Sequence, residues 1–226
     1  NPLIIHYYND KSAEKDVLLN KSFFKLYKKF CPGPITFVLR KKKKSKIKSS
    51  VTANLNTVAI RFPKHRVIRT ILKKINFPLA MPSANLSKSI SPINAWDVAE
   101  EFKKSIKLII NGGDSKIGIE STVIDLTGNP KILRPGIIGP EAIKKFLKVN
   151  LAKKKLKIKA PGMLKRHYSP GIPIFLNQKN FNENHAFITL GSKYKNNKNC
   201  FNLSKKSDLK EAASNLYKTF RKIKKQ

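Results

Sequence analysis

The regular alternation of strand-like and helix-like segments is the feature that most limits how this chain can fold. LIIHYY (3–8) and ITFVLR (35–40) are short apolar runs typical of strands, and between them KSFFKLYKKF (21–30) carries its apolar residues at helical spacing. Further on, two adjacent strand-like runs, ESTVIDLT and PKILRPG, meet at a turn near Gly128. Interleaved helices and strands with one adjacent strand pair predict a mixed-sheet α/β or α+β domain over residues 1–149.

The rest of the chain predicts a linker and part of a second domain. Residues 150–170 are basic and are interpreted as the linker, and residues 171–226 as a partial α/β domain. Its strands are predicted at IPIFLN (172–177) and AFITL (186–190), and DLKEAASNLYKTFRKI has the pattern of an amphipathic helix. Because the chain starts in a strand without Met and stops within a helical pattern, we expect a fragment cut at both ends.

Composition excludes several classes of protein. Hydrophobic residues make up 40% of the chain, enough for a buried core, yet no run of eighteen apolar residues is present, so no membrane span is expected. The start of the chain lacks a signal-peptide pattern. Cys31 and Cys200 are too few for a disulfide framework or a zinc site. These features predict a cytoplasmic protein.

The formal net charge of +35 has two interpretations. Such a charge attracts polyanions whatever their sequence, which favours an RNA-binding protein. A lysine-rich background scattered over solvated faces explains the same number, and composition does not separate the two. Only seven of the 48 basic residues are arginine, so each arginine carries more information than any lysine.

One stretch of this basic chain is almost free of charge. PLAMPSANLSKSISP (78–92) contains three prolines and the short polar side chains Ser83, Asn85 and Ser91. Rigid turns, hydroxyls and freed N–H groups before a helix that starts near Asn94 suit a phosphate or a ribose. An ordinary loop that caps the helix is the alternative.

Two arginines lie at strand ends next to prolines, Arg61 in AIRFP and Arg134 in KILRPG. A guanidinium held in a rigid place suits bidentate recognition of an anion.

Ser121, in NGGDSKIGIESTVIDL, offers a hydroxyl for an amino acid, or simply begins a strand after a Gly-rich hairpin. His6 is flanked by apolar residues, which also fits a packed structural histidine. With no paired carboxylates, Cys–His pair or HExxH spacing, neither a protein nucleophile nor a catalytic zinc is indicated.

Taken together and in order, these stretches resemble one family. NPLIIH, CPGPITFVLR, VAIRFP, PLAMPSANLSKSISP, NGGDSKIGIESTVIDL and ILRPG are similar to the motifs of the threonylcarbamoyl-AMP synthases, which have the YrdC-like fold. PGMLKRHYSP resembles the linker of the long, two-domain form. The resemblance implies a twisted mixed α/β sheet with helices around a basic cavity, followed by a linker and a partial Rossmann-like domain. It also implies a reaction that joins L-threonine, bicarbonate and ATP, with Mg²⁺, into threonylcarbamoyl-AMP and pyrophosphate.

The resemblance also assigns roles to residues. His6, Arg61, the Met81 backbone and Ser121 are expected to contact threonine. The residues expected to hold the nucleotide are Thr57, Ser83, Asn85, Ser91, Arg134 and Tyr168, the last as part of a lid. A downstream transferase would pass the threonylcarbamoyl group to tRNA, and contact with RNA is expected too.

The chain departs from the family pattern at its ends. The family's Lys-x-Arg motif and Thr-rich stretch should precede Asn1 and are not in this chain, so part of the site is expected to be missing and the fragment's activity is in question. A non-catalytic RNA-binding protein stays open as an alternative, and a hydrolase of acyl-adenylates or carbamoyl phosphate as a weaker one.

Overall fold

The computed structural model describes residues 2–87, 89–151, 169–180, 182–193 and 198–226. The chain forms two compact units, each made of two sequence segments. The first unit comprises Asn1–Pro82 and Glu120–Lys165, and the second comprises Ser83–Ile119 and Arg166–Gln226. The predicted domain boundaries at residues 149 and 170 stay a prediction.

A seven-stranded mixed sheet forms the centre of the first unit, with spatial order β4-β1-β3-β2-β5-β6-β7. The pairs β1–β3, β2–β5 and β6–β7 are parallel and the other three pairs are antiparallel. The strands are β1 (Ile4–His6), β2 (Ile35–Arg40), β3 (Thr57–Arg61), β4 (Leu79–Met81), β5 (Thr122–Asp125), β6 (Lys131–Arg134) and β7 (Asn150–Leu151). The predicted mixed α/β fold is confirmed.

Short helices connect these strands. In the first unit they are α1 (Asp10–Ala13), α2 (Lys21–Phe30), α3 (Ser49–Thr52), α4 (Arg66–Ile75) and α6 (Pro140–Lys144), and α5 (Ala95–Phe102) belongs to the second unit. Asn20 caps α2 because its side-chain oxygen accepts the N–H of Phe23. Pro140 opens α6 at a position where its missing N–H costs nothing.

The two faces of the sheet have different neighbours. One face packs under α1, α2 and α6 in a large apolar core that includes Ile5, Phe37, Ile60 and Ile124. Because side chains alternate along a strand, the intervening residues lie on the opposite face. There a smaller buried cluster comprises Ile4, Val38, Ala59 and Val123, with Leu133 packed against it. Because this cluster is small, polar side chains can lie around it on the same face of the sheet.

The second unit contains α5, a small parallel sheet and a long C-terminal helix. Strand β8 (Phe187–Thr189) pairs with β9 (Cys200–Asn202), and α7 spans Leu209–Lys224. The strand predicted at 172–177 is wrong, since these residues form no strand and Phe175 is 69% exposed. An apolar run becomes a strand only when a neighbouring strand accepts its backbone hydrogen bonds. Within the described residues, no helix is both long enough and apolar enough to cross a bilayer.

Candidate active site

One row of directly paired residues runs across the sheet. It brings four polar side chains, most of them predicted site residues, to the sheet face that carries the smaller apolar cluster. His6 pairs with Arg61, Arg61 with Thr36, Thr36 with Val123, and Val123 with Arg134. Directly paired residues in neighbouring strands point to the same side of a sheet. A bulge between β5 and β6 follows Val123, and such bulges redirect nearby side chains. Residues from five strands therefore meet along one line.

Arg134 is fixed by the residue that opens β5. Its Nε and Nη2 donate to the Ser121 carbonyl oxygen at 3.1 and 2.8 Å, and Nη2 also lies 3.1 Å from Ser121 Oγ. Ser121 Oγ shares a 2.7 Å hydrogen bond with Thr36 Oγ1, and both hydroxyls are buried. The guanidinium is therefore oriented before any ligand arrives, and the two hydroxyls are held beside it.

Gly136 brings the turn after β6 into contact with the start of β5. A Cβ at this position would lie 2.5 Å from both the Glu120 carbonyl oxygen and the Thr122 nitrogen. The hydroxyl of Thr122 donates to the Ile138 carbonyl oxygen at 2.8 Å, which ties the same two segments together. The backbone around Ser121 thus has its shape only because residue 136 lacks a side chain.

Arg61 is a largely desolvated cation beside a second cation. Its Nε donates a long hydrogen bond to the Gly33 carbonyl oxygen at 3.5 Å. Burial lowers the pKa of Arg61, and the positive charge of Arg134 lowers it further. In the described part of the chain no Asp or Glu forms an ion pair with Arg61. Arg61 and Arg134 therefore present two positive charges, and Arg61 has no carboxylate partner among the described residues. An anion bound beside them would be stabilised.

Cys31 lies near Arg61 but is not activated by it. Burial is the main effect on this thiol and raises its pKa to about 12, although the charge of Arg61 acts in the opposite direction. A thiol with this pKa stays protonated at neutral pH and is a poor nucleophile.

His6 is buried and neutral. Its Nδ1–H donates to the Ile4 carbonyl oxygen at 3.0 Å, because a carbonyl can only accept. Burial, followed by repulsion from Arg61, lowers the pKa of His6 to about 4, and interactions with the Ile4 and Leu79 backbone only partly oppose this shift. The ring therefore packs beside Arg61 without adding charge.

We expect this burial to make stability depend on pH between about 6.5 and 4. The unfolded chain binds a proton at His6 below its ordinary pKa of 6.5, whereas the folded chain does so only near 4. Stability should be complete above pH 6.5 and fall by about 3 kcal/mol as the pH drops to 4. Urea unfolding at pH 7.5, 5.5 and 4.5 measures the slope.

The matched variants are His6→Gln and His65→Gln. His6→Gln should flatten the slope over this interval, and His65→Gln serves as the control for removing an imidazole at an exposed position. An unchanged slope in His6→Gln would contradict the buried, neutral assignment.

The remaining predicted residues of the first unit lie on the same sheet. Thr57 lies four residues before Arg61 on β3 and shares its face, whereas Met81 is on β4 and pairs with Ile4. The structure thus brings His6, Arg61, Ser121 and Arg134 closely together, with Thr57 farther along one strand.

Three predicted residues lie in the second unit. Asn85 Nδ2 donates to the carbonyl oxygens of Leu86 and Ser89 at 2.8 and 3.1 Å, and its buried Oδ1 has no hydrogen-bond partner among the described residues. Ser83 is exposed and Ser91 is half-buried. The helix predicted to follow begins as expected, since Asn94 Oδ1 accepts the Asp97 N–H at 2.9 Å. Tyr168 lies outside the described residues.

The sequence comparisons cover the chain almost from end to end. Residues 1–136 match the Sua5/YciO/YrdC family, described as "Telomere recombination", and residues 138–226 match the domain described as "Threonylcarbamoyl-AMP synthase, C-terminal domain". The chain belongs to this family. The predicted two-domain family membership is thereby confirmed.

Relatives of known name and structure agree with this family. The chain is 40% identical to threonylcarbamoyl-AMP synthase of Pyrococcus abyssi over 186 residues, covering 78% of this chain and 54% of that protein. For the Bacillus subtilis threonylcarbamoyl-AMP synthase the identity is 37%, covering 77% and 52%. The crystal structure of P. abyssi Sua5 complexed with L-threonine superposes with a TM-score of 0.83 at 32% identity, covering 100% of this chain and 72% of that one. The chain spans about half the length of these curated relatives.

Thr36 belongs to this row of residues and was missed by the sequence interpretation. ITFVLR was interpreted only as a strand, and a threonine in a buried strand is unremarkable by itself. The available signal was its alternation with Val38, which places Thr36 on the same face as its cross-strand neighbour Arg61 once the β2–β3 pairing is known. Pairing partners are long-range contacts that periodicity does not supply.

Proposed function

We propose that the protein is a threonylcarbamoyl-AMP synthase, which forms threonylcarbamoyl-AMP and pyrophosphate from L-threonine, bicarbonate and ATP. Its family membership and the threonine bound by the P. abyssi relative support this proposal. The observation that carries it is the pair of guanidiniums at Arg61 and Arg134, one of them desolvated and lacking a carboxylate partner in the described structure. An anionic substrate would relieve the repulsion between them.

We propose that threonine binds over the row formed by His6, Arg61 and Ser121, with the Met81 backbone as a further contact. The amino acid carboxylate would pair with a guanidinium, and the buried hydroxyl of Ser121 would orient it. A neutral His6 suits this role because its ring offers a polar surface to the ligand but carries no charge that would change with pH near neutrality.

The residues proposed to bind the nucleotide are Thr57, Ser83, Asn85, Ser91 and Arg134, as the family resemblance implies. Tyr168 would contribute to a lid that keeps water from the product. Asn85 Oδ1, buried without a partner in the described residues, would accept a hydrogen bond from a sugar hydroxyl or a base amine.

The chemistry needs positioning more than a protein nucleophile. Threonine and bicarbonate give an N-carboxylate with loss of water; its oxygen attacks the α-phosphorus of ATP, and the bond to pyrophosphate breaks. Negative charge grows on phosphate oxygens in that step, which is where a preoriented guanidinium stabilises the transition state. A closed lid would protect the mixed anhydride from hydrolysis.

Magnesium would enter with ATP. The described residues include no group of three or more His, Cys, Asp or Glu side chains that could hold a metal ion. Mg²⁺ commonly keeps several waters and binds through substrate phosphates, so Mg·ATP would be the substrate and no resident metal cage is needed.

We propose further that the protein works in the cytoplasm and contacts tRNA, with a separate transferase using its product. The net charge of +35 supports attraction to a polyanion. Residues 1–149 would form the catalytic domain, 150–170 the linker and 171–226 part of the C-terminal domain.

The proposed reaction requires all of its substrates to be present together. We expect the full-length protein to release pyrophosphate from ATP only when threonine and bicarbonate are both present, because the attacking carboxylate exists only after they combine. A coupled pyrophosphate assay with each substrate omitted in turn tests this. Pyrophosphate release without threonine would contradict the proposal, and no release under any condition together with salt-dependent RNA binding would favour the non-catalytic alternative.

A further inference from the structure

The C-terminal helix α7 packs against the segment that carries the serine-rich loop, and both belong to the second unit. Gly118 shows how close this contact is, since a Cβ there would lie 2.5 Å from the Ala213 carbonyl oxygen and 2.7 Å from Ser214 Cα. Gly118 also has a φ of 75°, in the left-handed region that residues with a side chain rarely adopt. Helix α7 is therefore seated on this segment by direct backbone contact.

Among the ionic contacts of α7, those of Arg221 are the least exposed. Its Nη2 lies 3.1 Å from Glu101 Oε2, and its Nε lies 3.3 Å from Asp97 Oδ2, as an ion pair without hydrogen-bond alignment. These three side chains are only 12–16% exposed. The pairs formed by Lys218 and Lys225 on the same helix are 41–61% exposed, where ion pairs contribute little.

The two carboxylates that Arg221 neutralises are the anchors of the serine-rich loop. Glu101 Oε1 accepts the Leu86 N–H at 2.7 Å and also the Ser89 hydroxyl. Asp97 Oδ2 accepts the Ile93 N–H at 2.9 Å. The loop is thus held at Leu86 and at Ile93 by carboxylates of α5.

Arg221 also touches this loop directly. Its Nη2 donates to the Ile90 carbonyl oxygen at 3.0 Å. Burial opposes ionisation of Glu101, but the hydrogen bonds from Ser89, Leu86 and Arg221 outweigh it and lower its pKa. Removing the guanidinium would leave two carboxylates desolvated and close together, with their loop contacts weakened.

We propose that Arg221 is a positioning residue for the nucleotide-binding loop, through which the C-terminal part of the chain increases the affinity for ATP without touching it. This rests on the proposed function, which assigns Ser83, Asn85 and Ser91 to the nucleotide. Helix α7 then acts as a support for the loop, and the C-terminal segment has a role in substrate binding.

The test uses the full-length protein with Arg221→Ala and, as a matched control on the same helix, Lys225→Ala. In Arg221→Ala we expect the amides of Leu86, Ser89 and Ile93 to exchange hydrogen at least tenfold faster and the Kd for ATP to rise about tenfold. The Kd for threonine should change less than twofold, since its proposed contacts lie in the first unit. Lys225→Ala removes an exposed pair and should change each quantity less than twofold.

Two further variants separate positioning from general destabilisation. Arg221→Lys keeps the charge but loses the fork that reaches both carboxylates, so it should recover part of the ATP affinity. Glu101→Gln keeps the volume and is used for the same measurements if Arg221→Ala does not fold; it should loosen the Leu86 and Ser89 amides and weaken ATP binding.

The outcomes distinguish this inference from the proposed function. Wild-type exchange rates in the loop of Arg221→Ala would overturn the positioning role and leave the enzyme assignment untouched. Faster exchange with an unchanged Kd for ATP would show that the loop does not bind the nucleotide, which overturns the positioning role together with the proposed roles of Ser83, Asn85 and Ser91.

Discussion

Replacing Arg134 with alanine should lower kcat/KM for pyrophosphate release by about a hundredfold or more. Arg134 is held by two hydrogen bonds to the Ser121 carbonyl oxygen before substrate binds, so its remaining N–H groups are already oriented. Loss of one preoriented donor at the place where charge develops typically costs two to three orders of magnitude in rate. The variant also removes one hydrogen-bond partner of Ser121 Oγ, which keeps its bond to Thr36 Oγ1, and this loss should weaken threonine binding.

The comparison variants are Arg134→Lys and Arg66→Ala. Lysine restores the charge without the planar fork and should recover only part of the lost rate. Arg66 is exposed at the start of α4, so its removal makes the same change in net charge and should leave kcat/KM within twofold. Steady-state assays at saturating threonine and bicarbonate measure the effect, and thermal unfolding checks that Arg134→Ala is folded. Full activity in a folded Arg134→Ala protein would remove this residue from the site.

The accuracy of the sequence prediction varied with how local the decisive contacts are. Strand β2 was predicted to the residue, because ITFVLR is apolar and follows a proline that stops the preceding helix. Helix α2 was likewise predicted to the residue from its spacing and ends where the CPGP turn begins. IPIFLN has equal apolar character and forms no strand, since no neighbouring strand pairs with it in the described structure.

The prediction of the site residues also depended on whether their decisive contacts are local or long-range. Arg61 and Arg134 were selected because arginines are rare in this chain and each lies beside a proline, and the structure places them on one face. Thr36 and Arg221 were missed because their importance comes from partners far along the chain, Ser121 in one case and Glu101 in the other. Contacts across more than 80 residues leave no periodic trace in the sequence.

Replacing Gly136 with alanine should destabilise the protein by ~3 kcal/mol and lower its melting temperature by roughly 10 °C. The added methyl would meet backbone atoms of Glu120, Ser121 and Thr122 at 2.5–2.7 Å, and backbone cannot move aside as a flexible side chain can. The displaced segment contains the Ser121 carbonyl oxygen that orients Arg134, so activity should fall as well.

Gly128→Ala is the matched control for this effect. Gly128 lies in the turn between β5 and β6, on the same pair of strands, and a Cβ there meets nothing within 4 Å. Its replacement should change stability by less than about 1 kcal/mol, since the unfolded chain loses some freedom and the folded chain loses no contact. Calorimetric unfolding of both variants makes the comparison direct. If Gly136→Ala melts with Gly128→Ala, the turn after Arg134 does not press on the start of β5, and the orientation of Arg134 must have another origin.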